Sequence, residues 1–345
     1  PAERTVEEDL RYALAAAVPR PADASLLQHC MVELWSVVRW LGPEWRVSKF
    51  GSAGNHFLTC SSDLDVTVHT VDGQREGIPA LAAEDLETRI LPLLESTERF
   101  ELREVVANAR VPVLKVRFDG VLDVDLTCHN TEAMRNTQLL RAYAELHPAV
   151  RETVLLVKQW AKAAQVCGAH ERHLTSYALT LMVVYFLQVH PELQMPCLPT
   201  HAFTGFGHLP PEARVPWSLH ASMGLAGVLC RFFQFFGSEF HWGTEVVSVR
   251  LGQRSSRDSW EHGALKGAHL SRLHVEDPFL LDRNLNCVLG PEQEADLHRA
   301  LQQAAAALRR GNPPVGLAAP WPEAPPAKGG APGRAASENE STGPG

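Results

Sequence analysis

No stretch of this chain restricts its fold as tightly as residues 50–68, Phe-Gly-Ser-Ala-Gly-Asn-His-Phe-Leu-Thr-Cys-Ser-Ser-Asp-Leu-Asp-Val-Thr-Val. Gly51-Ser52 opens it, and Asp63-Leu64-Asp65 stands where an apolar alternation begins. On a strand, residues two apart point to one face, so Asp63 and Asp65 share a side. Like charges that close repel, and a fold tolerates them mainly around a cation. A few hard oxygen ligands suit Mg²⁺ or Mn²⁺, with water and substrate phosphates completing the shell. Gly51 lets backbone come near a phosphate, and Ser52 offers it a hydroxyl. Asp-x-Asp alone is equally a polar turn beside a strand, so a third carboxylate is what the functional reading requires.

Residues 111–118 and 121–127 alternate as strands, joined by Asp119-Gly120, a strong hairpin signal. Asp123 and Asp125 share a face of the second strand, and one or both can complete a triad. Gly-Ser, spacer, Asp-x-Asp and a distant strand Asp together resemble the DNA polymerase beta nucleotidyltransferase superfamily. The flanking Ala109-Arg110-Val111-Pro112-Val113-Leu114-Lys115 and Val124-Asp125-Leu126 are similar to its branch of RNA terminal uridylyltransferases and template-independent poly(A) polymerases. That resemblance places the third carboxylate at Asp125. It implies an α/β catalytic domain of the polymerase beta type (a small mixed sheet with helices), a mainly helical second domain, and an active site in the cleft between them. Asp63, Asp65 and Asp125 would hold two divalent ions, Mg²⁺ or Mn²⁺.

With 345 residues there is room for two domains and ample core. Amphipathic helices are predicted over 5–17 and 24–41, and the resemblance implies that residues 1–43 pack on the second domain. Residues 44–130 form the catalytic unit, with strands at 46–50, 64–69, 99–107, 111–118 and 121–127 and a helix at 83–95. Residues 131–310 form the helical domain, with helices near 132–145, 148–166, 174–189, 221–237 and 291–309. From residue 311 to 345 Pro, Gly, Ala and Ser dominate, which predicts a disordered tail.

The net charge of −8 does not favour tight nucleic-acid binding, which phosphate neutralisation drives, although a local basic groove is compatible with it. Seven cysteines without a Cys-x-x-Cys pair fit reduced thiols, so a cytoplasmic location is favoured. The chain begins at Pro1 without a methionine, so a leader is not excluded, nor is the nucleus or an organelle. No apolar run reaches membrane-spanning length. The histidine pairs His170/His173 and His201/His208 lack cysteines at zinc spacing and read as solvated loops.

Lys158 and Lys162 are four apart on the 148–166 helix, beside its apolar stripe. Such a pair is ordinarily a solvated flank, but Val157-Lys158-Gln159-Trp160-Ala161-Lys162 resembles the family's triphosphate-binding helix. The resemblance further gives Ser176 a phosphate contact, Tyr177 a stack on the base, and Asn136-Thr137 the ribose hydroxyls. Val275-Glu276-Asp277-Pro278-Phe279 and Asn284 resemble the loop at the base edge, where Asp277 would accept from uracil N3–H. The chain departs from the family there: Leu280 stands where an acidic residue is usual, and Arg283 replaces a histidine that helps several members prefer UTP. Arg283, pointing inward, would donate to uracil O4. Arg110, Lys115 and Arg117 are candidate RNA-backbone contacts, or else an exposed strand face.

The implied activity is template-independent addition of UMP from UTP to a single-stranded RNA 3′ end, with ATP and poly(A) synthesis as the alternative. Oligoadenylate or cyclic-dinucleotide synthesis shares the triad but not the Asp-Pro-Phe loop. An inactive RNA-binding or scaffold subunit is the rival of another class. No RNA-recognition module is visible, so targeting is expected from a protein partner or from the RNA end itself.

Overall fold

The computed structural model describes residues 4–220, 223–257 and 272–319. Residues 320–345 of the predicted tail, residues 221–222 of the predicted 221–237 helix, and residues 1–3 lie outside the described residues.

Five strands form the sheet of the first domain: β1 (Trp45–Lys49), β2 (Leu64–Thr70), β3 (Phe100–Val106), β4 (Val113–Phe118) and β5 (Leu122–Cys128). Their order is β1-β2-β5-β4-β3, and only β2 and β5 run parallel. Asp119 (φ 49°) and Gly120 (φ 70°) take the left-handed turn that suits a two-residue hairpin, and Val121 N–H closes it on Phe118 O at 3.0 Å. One face of the sheet buries Leu64, Val66, Leu114, Val116, Val124 and Leu126. Three helices bear on this domain: α2 (Pro21–Val38), α4 (Pro79–Asp85) and α5 (Leu91–Glu95). Between α4 and α5 the helix widens over Leu86–Ile90, where Pro92 has no N–H to return to Thr88 O.

The first helix, α1 (Val6–Ala17), is capped by Thr5 in a reciprocal box with Glu8, and its Leu10 and Ala13 enter the second domain's core. Glu7 reaches on to accept from Leu225 N–H (3.3 Å) and Ala226 N–H (2.9 Å) at the start of a later helix. The placement inferred for residues 1–43 is corrected for α2. Cys30, Leu34, Val37 and Val38 bury it against the five-stranded sheet instead. Extended backbone at Val18 and Arg20, on either side of Pro19, turns the chain between the two lobes.

Four-residue α3 (Gly51–Gly54) follows β1, and after β5 the second domain builds on α6 (Thr131–Leu146), α7 (Pro148–Ala163), α8 (Ser176–Val189), α9 (Leu225–Gln234) and α10 (Pro291–Arg309). α8 is buried continuously from Ala178 to Gln188, so it runs through the middle of this domain. Phe232, Phe233, Phe235, Phe236 and Phe240 pack around it, many at steep ring angles. A two-residue parallel pair, β6 (Val246–Val247) with β7 (His274–Val275), is a feature the sequence reading did not contain.

The disorder predicted from residue 311 is corrected for 311–319. After α10 the chain turns at Gly311, and Pro314 and Leu317 are buried against the helical core. A single leucine in Pro- and Gly-rich text carries no periodicity, but here it fills a core position.

Candidate active site

The strand pattern fixes the carboxylates before any side chain is considered. In the parallel β2–β5 register Asp65 lies opposite Asp125, and in the antiparallel β4–β5 register Asp125 lies opposite Lys115. Neighbouring strands run about 4.8 Å apart, so the ladder itself holds Asp65 and Asp125 close. Burial, with Asp125 and Asp63 beside it, pushes the Asp65 carboxyl up to about 7. Asp63 and Asp125 are also raised, first by burial. Asp123 is different: Arg117 grips both its oxygens at 2.7 and 3.0 Å, which holds its carboxyl low. Asp125 is thus the strand residue that faces Asp65. Among the described residues no three His, Cys, Asp or Glu side chains could hold an ion by themselves. The mutually raised carboxylates nonetheless fit a divalent cation that takes its remaining oxygens from water and a triphosphate.

Over these carboxylates bends the Gly-Ser turn. Gly51 has φ +58°, and a Cβ there would fall 2.3 Å from Asp65 Oδ2, so only glycine fits. Its N–H donates to Thr137 Oγ1 at 2.9 Å, and that hydroxyl donates to Ala133 O at 2.6 Å. Thr137 is therefore engaged with the turn, and its hydroxyl proton is already given to Ala133 O. The Gly51 N–H is likewise spent within the protein, leaving Ser52 as the open donor of the pair.

Gly51, Ser52, Asp63, Asp65, Lys158, Lys162, Ser176 and Tyr177 line one cavity of about 710 Å³ between the two domains. Lys158 Nζ donates to Phe57 O at 2.8 Å, and burial pulls its ammonium down to about 8. Phe57 is a buried anchor absent from the sequence reading; the pattern gives no reason to single out its carbonyl. Lys162, one turn on, is exposed at the same wall. Cys167, unassigned from sequence, lies 3.5 Å from Ser176 Oγ.

Tyr177 connects this cavity to the base-edge loop. Its hydroxyl donates to Asn136 Oδ1, and burial raises it well above the ordinary phenol range, with Asp277 and Arg283 also acting on it. Asn136 keeps its Nδ2 donor for a ligand. Asp277 is fully buried: Oδ1 accepts from Phe279 N–H (3.0 Å) and Leu280 N–H (3.2 Å), while Oδ2 faces Arg283 Nη1 at 3.4 Å. Arg283 does point inward, but to the carboxylate. Asp277 and Arg283 are not among the cavity's lining residues.

The candidate RNA contacts are all ion-paired: Arg110 with Glu132, Lys115 with Glu104, and Arg117 with Asp123. Among the described residues no helix is long and apolar enough to cross a membrane.

A mixed sheet with Asp65 and Asp125 abreast, a Gly-Ser turn above them and lysines opposite defines a nucleotidyltransferase fold of the polymerase beta type. Residues 6–145 match the family model for the poly(A) RNA polymerase, mitochondrial-like, central palm domain, and residues 224–283 match the Cid1 family poly A polymerase model. In both stretches the chain is similar to the template-independent RNA nucleotidyltransferases. Poly(A) RNA polymerase GLD2 of Rattus norvegicus is 29% identical over 321 residues, covering 84% of this chain and 65% of that protein. GLD2-A of Xenopus laevis is 30% identical over 272 residues, covering 72% and 50%. This chain thus spans less than two thirds of these relatives' length. Among solved structures, the Cid1 poly(U) polymerase with Mg 3′-dATP bound matches with a TM-score of 0.76 at 22% identity, covering 90% of this chain and 96% of that one. Terminal uridylyl transferase 4 from Trypanosoma brucei, with bound UTP and UMP, matches with a TM-score of 0.71 at 24% identity, covering 88% and 97%.

Proposed function

We propose that this chain is a template-independent nucleotidyltransferase that adds nucleoside monophosphates, from ATP or UTP, to RNA 3′ ends. The observation that carries the reading is the Asp65–Asp125 pair on parallel strands, with Asp65, Lys158 and Lys162 lining one cavity. In the reaction the RNA 3′-oxygen bonds to the α-phosphorus, the α–β phosphate bond breaks, and pyrophosphate leaves. Two divalent ions, Mg²⁺ or Mn²⁺, held by Asp63, Asp65 and Asp125 would supply Lewis-acid activation of the hydroxyl and charge neutralisation of the leaving group. Asp125 takes up the hydroxyl proton or orients it. Ser52, Ser176, Lys158 and Lys162 hold the phosphates, and lysine suits this because its ammonium follows the charge as it moves. Tyr177 stacks the base, and Asn136 offers its amide N–H to the sugar or base.

On base choice the geometry supports less discrimination than the sequence suggests. The uridylyl preference rests on Asp277 as acceptor and Arg283 as donor to uracil O4, but the two face each other, and Oδ1 already takes two backbone N–H groups. ATP is therefore proposed as a donor at least equal to UTP.

The test is incubation of purified protein with labelled single-stranded RNA and each NTP separately, with Mg²⁺ or Mn²⁺. Untemplated lengthening is expected, and Asp65→Ala should lower its rate by several orders of magnitude while the protein stays folded. Near wild-type extension by that variant would remove the site assignment. Oligomers formed from NTP alone would favour oligoadenylate or cyclic-dinucleotide synthesis, and a wild type without activity would favour the scaffold reading.

A further inference from the structure

The segment after α10 crosses the domain to the triphosphate wall. Asn312 N–H closes on Ala307 O at 3.0 Å, and the chain then runs to α7 and α1. Gly316 O accepts from Gln159 Nε2 at 3.0 Å, and Ala319 N–H donates to Asp9 Oδ1 at 3.3 Å. Between these ties Pro314 and Leu317 are buried. The segment is pinned on both sides of Gly316, and Gly316 itself lines the nucleotide cavity with Gln159, Lys162 and Ala163.

Gln159 and Ala163 each follow a phosphate-site lysine by one residue, and the two pairs run in step along α7. Gly316 rests on this flank so closely that a Cβ on it would lie 2.2 Å from Ala163 Cβ. Its φ of +75° is a conformation glycine adopts without cost. Ala163 has no flexible end to move aside, and the buried Pro314 and Leu317 keep the segment from swinging out.

We infer that residues 312–319 form a strap whose Gly316–Gln159–Ala163 contact positions Lys158 and Lys162 for the triphosphate. The inference rests on the proposed function for the identity of the ligand. Gly316 and Gln159 are positioning residues: they act on the ligand through the helix that carries the lysines.

The test is Gly316→Ala in the full chain. Dissociation constants for an ATP analogue resistant to transfer, with Mg²⁺, and for RNA are measured beside KM and kcat. The contact should weaken nucleotide binding and raise nucleotide KM by roughly tenfold, a change of about 1.4 kcal/mol. RNA affinity should stay within about twofold of wild type. Gly316→Ala combined with Ala163→Gly keeps the backbone strain but removes the clash, and should bring nucleotide affinity back to within about threefold. Gln159→Met, which loses only the hydrogen bond to Gly316 O, should move nucleotide affinity in the same direction as Gly316→Ala. Normal nucleotide affinity in Gly316→Ala and Gln159→Met overturns the strap, as does a folded double variant without recovery. In those cases RNA extension by the wild type still supports the proposed function. If the wild type binds nucleotide but extends no RNA, that function fails and the affinities still judge the strap. A wild type that binds no nucleotide overturns both.

Discussion

At the scale of single residues, the base-edge loop shows how one substitution can reassign a neighbour. Asp277 carries the acceptor chemistry a uracil would need, but two backbone N–H groups hold one oxygen and Arg283 faces the other. Removing the guanidinium would free Oδ2. A carboxylate facing the middle of a base edge accepts from uracil N3–H and repels adenine N1. Arg283→Ala is therefore expected to raise the ratio of kcat/KM for UTP over ATP by roughly tenfold, the worth of about one polar contact. Both nucleotides would be measured on the same RNA. A ratio that does not move would exclude Arg283 as the group masking Asp277.

At the scale of elements, β7 and the loop behind it depend on His274. The imidazole is fully buried, and its Nδ1 accepts from the side-chain amides of Asn284 (3.0 Å) and Asn286 (3.3 Å), which places the proton of the neutral ring on Nε2. Burial, with Arg257 nearby, pulls its pKa from the ordinary 6.5 to about 4. A depressed histidine is neutral in the fold and protonated in the unfolded chain between those values. Its contribution is thus complete above about pH 6.5 and is lost as pH falls towards about 4, at up to about 1.4 kcal/mol per pH unit. Urea unfolding at pH 7 and pH 5 should show a loss of about 2 kcal/mol in wild type that His274→Asn reduces. An equal loss in both proteins would assign the acid sensitivity elsewhere.

The elements also divide by how far they can be read from the chain. Asp119-Gly120 has a turn chemistry of its own, so that hairpin is a local fact. The destination of α2 is not local. An apolar stripe demands burial but does not say against what, and Leu34 serves a sheet as well as a bundle. The same holds at the site. Asp63 and Asp65 draw notice because like charges at strand spacing need an explanation, whereas Asp125 is separated from Asp123 only by the family resemblance. Gly316 and the Phe57 carbonyl draw none, since nothing in their neighbourhood marks them until the second domain folds over them.

At the scale of the whole molecule, the charge balance bears on how RNA is held. The net charge is −8, and Arg103, Arg110, Lys115 and Arg117 are paired with carboxylates. Exposed pairs of this kind contribute about 0–1 kcal/mol each, so phosphate can exchange into them, but each exchange releases a carboxylate to be solvated. Affinity for single-stranded RNA should depend weakly on salt, with a log–log slope of about −1 to −2, the signature of two or three phosphates. Binding measured across a salt series would show it. A slope near about −5 would require a basic track that these pairs do not provide.

The hydroxyl of Thr137 carries a last consequence. It belongs to α6 of the second domain, yet it is the acceptor for Gly51 in the first. The Gly51-Ser52 turn is thus latched from across the domain boundary, and ownership of the cavity is divided at one hydrogen bond. A chimera that exchanged one domain for a relative's would keep every carboxylate and every lysine. It would still receive only half of that latch, and its turn would settle wherever the new neighbour allowed.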